Sequence, residues 1–193
     1  MTTATESLIE IEKAEIELAK KDPRRFESLY QRYYNKMYGF VFKRVNDEEF
    51  AADIVSQTFL KALINLSSYQ YKGLPFSAWL YRIALNLCQD HFRQKKKTQT
   101  FYLDPTNTGY LIAEMIGDKE DDISELSLPK VLRDLKPKDL NLIELRFFEK
   151  LSFKEIAGVL DVSEAAAKVR LYRILKKMKG MFEAYEKRFE DTI

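Results

Sequence analysis

The side chains best suited to chemistry lie in residues 151–179, where lysine and arginine recur among apolar residues. Cationic groups of this kind pair with the phosphates and base edges of nucleic acids. If the stretch is helical, its apolar residues share one face and leave the cationic ones on the other. The residues expected to point outward are Lys168, Arg170, Tyr172, Arg173, Lys176 and Lys177.

The sequence around them predicts two helices that would hold this face in place. Ser152 and Glu155 have the S-x-x-E spacing of a capping box, which starts a first helix. Asp161 and Val162 form a short break, and Ser163 can cap a second helix. This arrangement predicts a helix-turn-helix, whose second helix enters the major groove of DNA. A helical hairpin with a merely solvated basic face is the alternative.

Composition favours a mostly helical globular protein of one or two domains. The chain has 193 residues, of which 46% are hydrophobic and 32% charged, with only 6 glycines and 5 prolines. No apolar run approaches the roughly 18 residues of a membrane span. The acidic N-terminus lacks the regions of a signal peptide, so a cytoplasmic protein is expected.

Little in the sequence favours catalysis. Cys88 and His91 are the one cysteine and the one histidine, so neither an internal disulfide nor a zinc site is expected. Cys88 suits a small buried residue, and His91 a structural position near a helix end. The sequence shows no nucleophile–base pair, no phosphate-binding glycine loop and no metal cluster. No enzymatic activity and no cofactor are therefore expected.

The first half predicts four amphipathic helices and a loop. The helices are expected at residues 8–20, from Asp22-Pro23 to Arg44, at 48–66 after Asn46-Asp47, and at 76–97. Aromatic residues of the second helix should pack in the core. The fourth should face inward with Phe76, Leu80, Ile83, Leu87 and His91. The outer face of the third helix, with Asp53, Ser56 and Gln57, could be solvated or could dock a partner.

Two features of this half suit single-stranded nucleic acid. The loop at 67–75 carries Tyr69, Tyr71 and Lys72, which could stack with unpaired bases or pin the loop to the core. The outer stripe of the fourth helix, with Arg82, Asn86, Gln89 and Arg93, leads into a basic end and predicts a nucleic-acid track.

The second half predicts a separate helical domain. Residues 98–126 are acidic and read as a linker, so the expected domains are residues 1–97 and 127–193 of an all-α protein. Residues 129–135 and 137–148 should form helices under the helix-turn-helix. Residues 181–193 should form an exposed helical tail.

Longer motifs resemble the extracytoplasmic-function (ECF) class of bacterial RNA polymerase sigma factors. The stretches AADIVSQTFLKAL and YKGLPFSAWLYRIALNLCQDHFRQKKK resemble sigma region 2. The stretch LRDLKPKDLNLIELRFFEKLSFKEIAGVLDVSEAAAKVRLYRILKKM resembles region 4. The resemblance implies a sigma factor that binds core RNA polymerase, through the β′ clamp helices and the β flap, and promoter DNA. An anti-sigma factor is a further partner known for the class.

The resemblance also implies roles for individual residues. Asp53, Ser56 and Gln57 would contact the polymerase. The downstream promoter element would meet Tyr69, Tyr71, Lys72, Arg82, Asn86 and Arg93. At the upstream element, base edges would meet Lys168, Val169, Tyr172 and Arg173, and phosphates would meet Arg170 and Lys176.

Two other functions remain open from the residues alone. A stand-alone helix-turn-helix regulator would dimerise and bind an operator without polymerase, although the acidic linker and a net charge of only +2 disfavour it. A helical adaptor without a nucleic-acid role would bind its partner with little dependence on salt.

Overall fold

The structure is a computed structural model that describes residues 2–95, residue 111 and residues 128–190. Every regular element within these ranges is helical, which confirms the all-α class. In the same ranges, no helix combines the length and apolar character needed to cross a membrane. The chain divides into two compact units, one that contains the described helices before residue 96 and one that contains most of the described residues after 127.

The N-terminal unit contains four α-helices. Their bounds are α1 Thr2–Lys21, α2 Glu27–Val45, α3 Glu48–Ile64 and α4 Phe76–Lys95, with 3-10 turns at Pro23–Phe26 and Leu66–Ser68. Helices α2, α3 and α4 pack against one another, and α1 packs on the two 3-10 turns and on α2. The sequence predicted the same four helices, although α1 starts earlier than residue 8. Residues 96 and 97, the expected end of α4, lie outside the described residues.

Local signals set the boundaries of these helices. The Asp22 carboxylate accepts a hydrogen bond from the backbone two residues on, and Pro23 takes the first position of the turn that leads into α2. Asn46 ends α2 in the left-handed conformation, with φ 48°. Asp47 starts α3 by accepting a hydrogen bond of 2.9 Å from the Phe50 N–H. The cap expected at Asp22 and the one expected from Asp47 are confirmed, whereas Asn46, expected to cap α3 together with Asp47, ends α2 instead.

Aromatic rings fill the core of the N-terminal unit. Phe26 meets Phe59 and Phe76 edge-on, with ring centroids 6.3 and 6.4 Å apart. Phe40 meets Tyr81 in the same way at 4.7 Å. Edge-to-face contacts match the positive edge of one ring to the negative face of another. The expected core role of the α2 aromatics is confirmed for Phe40.

Other side chains in this unit depart from the predicted faces. Tyr30 of α2 is 39% exposed, so the core prediction is wrong for this aromatic. In α4, Ile83, Leu87 and His91 are only half-buried, although they were expected inside. The buried face is rotated around the helix and consists of Phe76, Ser77, Ala78, Leu80, Tyr81, Ala84, Leu85 and Cys88. Because α4 carries apolar residues over a wide arc, its packing partners select the face.

The C-terminal unit is built from shorter helices and one long one. Their bounds are α5 Leu128–Arg133, α6 Pro137–Ile143, α7 Phe153–Leu160 and α8 Glu164–Glu190. The predicted helix at 137–148 is interrupted, because a π-helical turn at Glu144–Phe148 replaces its second half. The wider turn shifts the helical register and keeps the apolar side chains inward. Five apolar side chains of this segment are buried: Leu142, Ile143, Leu145, Phe147 and Phe148.

The end of α8 is better anchored than the sequence suggested. Phe182 is only 1% exposed, so the prediction of an exposed tail is wrong at this residue. The Tyr185 hydroxyl also donates a hydrogen bond to the Asp134 carboxylate of the segment after α5. The predicted linker at 98–126 lies outside the described residues, apart from Leu111. The domain limits 1–97 and 127–193 stay predictions.

Candidate functional site

The helix-turn-helix formed by α7 and α8 is built by the residues that the sequence singled out. The Ser152 hydroxyl accepts a hydrogen bond of 3.2 Å from the Glu155 N–H, and the Glu155 carboxylate accepts one of 2.7 Å from the Ser152 N–H. Asp161 ends α7 in the left-handed conformation, with φ 57°. Ser163 then starts α8 by accepting a bond of 3.1 Å from the Ala166 N–H. The predicted capping box and turn are confirmed.

Helix α8 separates its apolar and cationic residues as expected. The buried side chains are Ala167, Leu171, Ile174, Leu175 and Met178. On the opposite face, Lys168, Arg173 and Lys176 are exposed. Val169 and Tyr172 are 51% and 62% exposed, which leaves two large apolar surfaces among the cations. Such a face can contact phosphates through its charges and thymine methyl groups through its apolar atoms.

Two cationic side chains of α8 also form ion pairs within the C-terminal unit. Arg170 is half-buried, and its Nη2 and Nε lie 2.7 and 3.2 Å from Oδ1 of Asp139 on α6. Lys168 pairs with Glu164 at 2.8 Å, one turn earlier, and lies over the Phe153 ring at 5.6 Å. The Arg170 guanidinium therefore fixes α8 to α6, a role that sequence reasoning missed. Its phosphate contact stays a prediction.

The loop predicted at 67–75 begins at residue 69 in the structure, because a 3-10 turn takes Leu66–Ser68, and it carries the three residues expected to meet unpaired bases. Tyr69 packs against Phe76 and Trp79, with ring centroids 5.3 and 4.8 Å apart. Burial raises the pKa of Tyr69 to about 12. Tyr71 is 36% exposed, and Lys72 is exposed. Tyr69 therefore pins the loop to the core, whereas Tyr71 and Lys72 present an aromatic face and a cation to solvent.

The outer stripe of α4 extends the polar surface of this unit. Asn86, Gln89 and Arg93 are exposed, and Arg82 is half-buried. Arg93 pairs with Asp90 at 2.9 Å, one turn earlier. The stripe from Arg82 to Arg93 spans about 16 Å at the helical rise of 1.5 Å per residue. It could follow several nucleotides of one strand.

The outer surface of α3 combines polar and apolar side chains. Asp53, Ser56 and Gln57 are all exposed, and the Gln57 amide donates a hydrogen bond of 2.9 Å to the Asp53 carboxylate. One and two turns further along, Leu60 and Ile64 are 56% and 67% exposed. We call these five residues the α3 surface. Leu60 and Ile64 were not among the residues that the sequence predicted for this face.

The described part of the chain shows no metal-binding cluster. No group of three or more His, Cys, Asp and Glu side chains converges there to hold a metal ion. His91 lies against the Phe50 ring, with centroids 3.7 Å apart, which fits its expected structural position. The surfaces that stand out are therefore those suited to binding macromolecules.

Two parts of the chain match models of known protein families, in the order that the sequence motifs suggested. Residues 29–98 match Sigma-70 region 2, and residues 125–178 match Sigma-70 region 4. The chain is 34% identical over 158 residues to the ECF RNA polymerase sigma factor BldN of Streptomyces coelicolor. That match covers 79% of this chain and 58% of BldN.

A second relative matches over most of its own length. The chain is 30% identical over 142 residues to the RNA polymerase sigma factor SigV of Bacillus subtilis, covering 74% of this chain and 81% of SigV. The solved structure of CnrH, in complex with the cytosolic domain of CnrY, shares the fold at 23% identity, with a TM-score of 0.60. It covers 90% of this chain and 97% of CnrH. With both sigma regions matched and with BldN and SigV this similar, the chain belongs to the ECF RNA polymerase sigma factors, which are transcription initiation factors and not enzymes.

Proposed function

We propose that this sigma factor brings core RNA polymerase to promoters by reading an upstream element with α8 and holding an opened downstream element with its N-terminal unit. The observation that carries the proposal is the exposed cationic and apolar face of α8 on a complete helix-turn-helix. In this motif the early residues of the second helix reach base edges in the major groove. Helix α8 would thus supply both the base contacts that select a DNA sequence and the charges that attract phosphates.

At the upstream element, some α8 side chains would contact bases and others would contact phosphates. Arg173 is exposed, and its planar guanidinium suits a bidentate contact to the O6 and N7 atoms of guanine. Val169 and Tyr172 present apolar surface that suits thymine methyl groups. Lys168 and Lys176 supply point charges for phosphates, which add affinity without sequence information.

At the downstream element, the loop and α4 would hold the separated strand. The exposed ring of Tyr71 can stack on an unpaired base, and Lys72 can pair with an adjacent phosphate. Arg82, Asn86 and Arg93 would then contact the backbone along α4. Extruding a base costs a few kcal/mol, which a preformed loop and a charged track can offset.

The α3 surface is the proposed contact with the β′ clamp helices of core polymerase. Exposed Leu60 and Ile64 can bury apolar area at such an interface, while Asp53 and Gln57 supply charge and hydrogen bonds. The C-terminal unit would contact the β flap. We further propose that the protein acts in the cytoplasm, that residues 98–126 link the two DNA-reading domains, and that an anti-sigma factor binds the same polymerase-facing surfaces.

A reconstituted transcription assay tests this function. Purified bacterial core polymerase with the wild-type chain should give run-off transcripts from discrete start sites, and polymerase alone should not. Failure to form a stable complex with core polymerase would overturn the proposal. Tight binding of a dimer to duplex operator DNA without polymerase would indicate a stand-alone regulator instead.

A matched pair of variants tests the α3 surface. Leu60→Asp should weaken core binding by roughly tenfold, because a charge in an apolar contact loses buried area and is poorly solvated. Leu18→Asp is the control, since Leu18 on α1 has a similar exposure, 52% against 56%. The measurement is the Kd for core polymerase by fluorescence anisotropy. Equal Kd values for the two variants would remove Leu60 from the interface.

A further inference from the structure

Helix α1 lies before the residues that match Sigma-70 region 2, yet it is built into the N-terminal unit. Ile16 and Ala19 are each 2% exposed. Glu15 pairs with Arg32 of α2, with the Glu15 Oε2 and Arg32 Nη1 atoms 2.6 Å apart. The most unusual residue is Glu12, a carboxylate that is only 6% exposed. A buried carboxylate is costly unless hydrogen bonds satisfy it.

Two donors satisfy the Glu12 carboxylate. Its Oε2 accepts a hydrogen bond of 3.0 Å from the backbone N–H of Phe76, and its other oxygen accepts one from the Tyr33 hydroxyl. Burial, followed by the hydrogen bond to Glu12, raises the pKa of Tyr33 well above its usual range. The hydroxyl therefore keeps its proton and remains a donor.

The Phe76 N–H is one of the free donors at the start of α4. The first N–H groups of a helix have no partner within the helix and usually receive one from a nearby Ser, Thr, Asp or Asn side chain. Here the preceding residue is Pro75, whose side chain cannot accept a hydrogen bond. Glu12, 64 residues earlier in the chain, supplies the acceptor instead. Its negative charge also suits the positive end of the α4 dipole.

The same helix meets the 69–75 loop at a second point. The Lys13 ammonium group lies 4.4 Å from the centre of the Tyr71 ring, within cation–π range. Phe76, whose N–H is bound by Glu12, also packs against Tyr69. Helix α1 thus fixes the end of the loop through Glu12 and contacts its exposed tyrosine through Lys13.

We propose that Glu12 is a positioning residue for strand capture, which sets the shape of the 69–75 loop by fixing the start of α4. The inference rests on the proposed function of that loop in holding the opened downstream element. A loop ordered before binding loses less entropy on binding. Removing the Glu12 bond should therefore weaken the hold on the opened strand and leave the contacts of α8 and of the α3 surface intact.

The test uses reconstituted holoenzyme and a promoter selected from random DNA with the wild-type protein. The probe is a labelled single-stranded oligonucleotide of its downstream element, and the Kd is measured by anisotropy. Glu12→Ala should raise this Kd roughly tenfold, because a buried N–H loses its acceptor. Glu12→Gln keeps an amide oxygen for the Phe76 N–H and should stay within about twofold of wild type. Glu17→Ala, an exposed carboxylate on the same helix, is the control and should match wild type.

Two further measurements separate positioning from folding. Affinity for core polymerase and for duplex upstream DNA should be the same for wild type and Glu12→Ala. Trp79, the one tryptophan of the chain, contacts Tyr69 and reports whether the unit is folded. Should Glu12→Ala unfold, Glu12→Asp takes its place, since it keeps the charge but is one methylene too short to reach Phe76.

The outcomes are distinguishable. Wild-type holoenzyme that fails to bind the oligonucleotide would contradict the proposed function of the loop. Binding by wild type with an unchanged Kd in folded Glu12→Ala, or in the Glu12→Asp variant that replaces it, would overturn the role of Glu12 alone. Equal losses in core binding and strand binding would also overturn it, because they would show a general structural role.

Discussion

The two surfaces proposed to contact DNA are held in place by different means. In the C-terminal unit, the two helices of the helix-turn-helix are started by hydrogen bonds between residues three apart, Ser152 with Glu155 at α7 and Ser163 with Ala166 at α8. In the N-terminal unit, the 69–75 loop ends at a backbone group that is bound by Glu12, 64 residues earlier. One surface is specified locally, and the other depends on tertiary packing.

This difference has a physical origin. A helix-turn-helix needs regular helices and a tight turn, and caps supply both from neighbouring residues. A loop that must hold an irregular shape has few internal hydrogen bonds and no periodic apolar face. Its backbone groups find partners only where another element reaches them. We therefore expect that substitutions far from the 69–75 loop can change the shape of this loop. Substitutions equally far from the helix-turn-helix should change its shape less.

The largest effect should come from weakening the packing of α1. Ile16→Ala should lower the free energy of unfolding of the N-terminal unit by about 2–5 kcal/mol, the range for a large-to-small change in a core. Urea unfolding followed by Trp79 fluorescence measures it. Leu18→Ala, on the same helix but 52% exposed, should change stability by less than about 0.5 kcal/mol. Similar values for the two variants would mean that α1 does not support the unit.

A smaller effect should appear when the reading face of α8 is changed without disturbing its fold. Arg173→Ala should cost about 1–3 kcal/mol of discrimination between the upstream element and scrambled duplex, if the contact is bidentate to a guanine. Holoenzyme binding to both duplexes at fixed salt measures it. The control is Arg25→Ala, an exposed cation of the N-terminal unit. An equal loss on scrambled DNA would assign Arg173 to a phosphate.

The smallest effect should come from the local cap itself. Ser152→Ala should lower the free energy of unfolding by about 0.5–2 kcal/mol, because the Glu155 N–H loses its acceptor at the start of α7. Urea unfolding followed by far-ultraviolet circular dichroism measures it. Ser28→Ala, at an exposed position within α2, is the control and should be close to neutral. A neutral Ser152→Ala would show that tertiary packing, and not the local cap, holds the start of α7.

The clearest error of the sequence-based expectations lies on α4. This helix buries Tyr81 and Ala84 in place of Ile83 and Leu87. It has more apolar positions than one face can hold. Periodicity identifies such a helix but does not select the arc that is buried. The neighbouring helices make that selection.

The sequence by itself determined the helices, their caps, the helix-turn-helix and the separation of cations from apolar residues on α8. These features depend on residues within a few positions of one another, where hydrogen bonds and the helical repeat leave few alternatives. Only the tertiary structure decided that Glu12 is buried, that it binds the start of α4, and that Arg170 pairs with Asp139. These contacts join residues 31 to 64 positions apart, and their partners become neighbours only once the helices have packed.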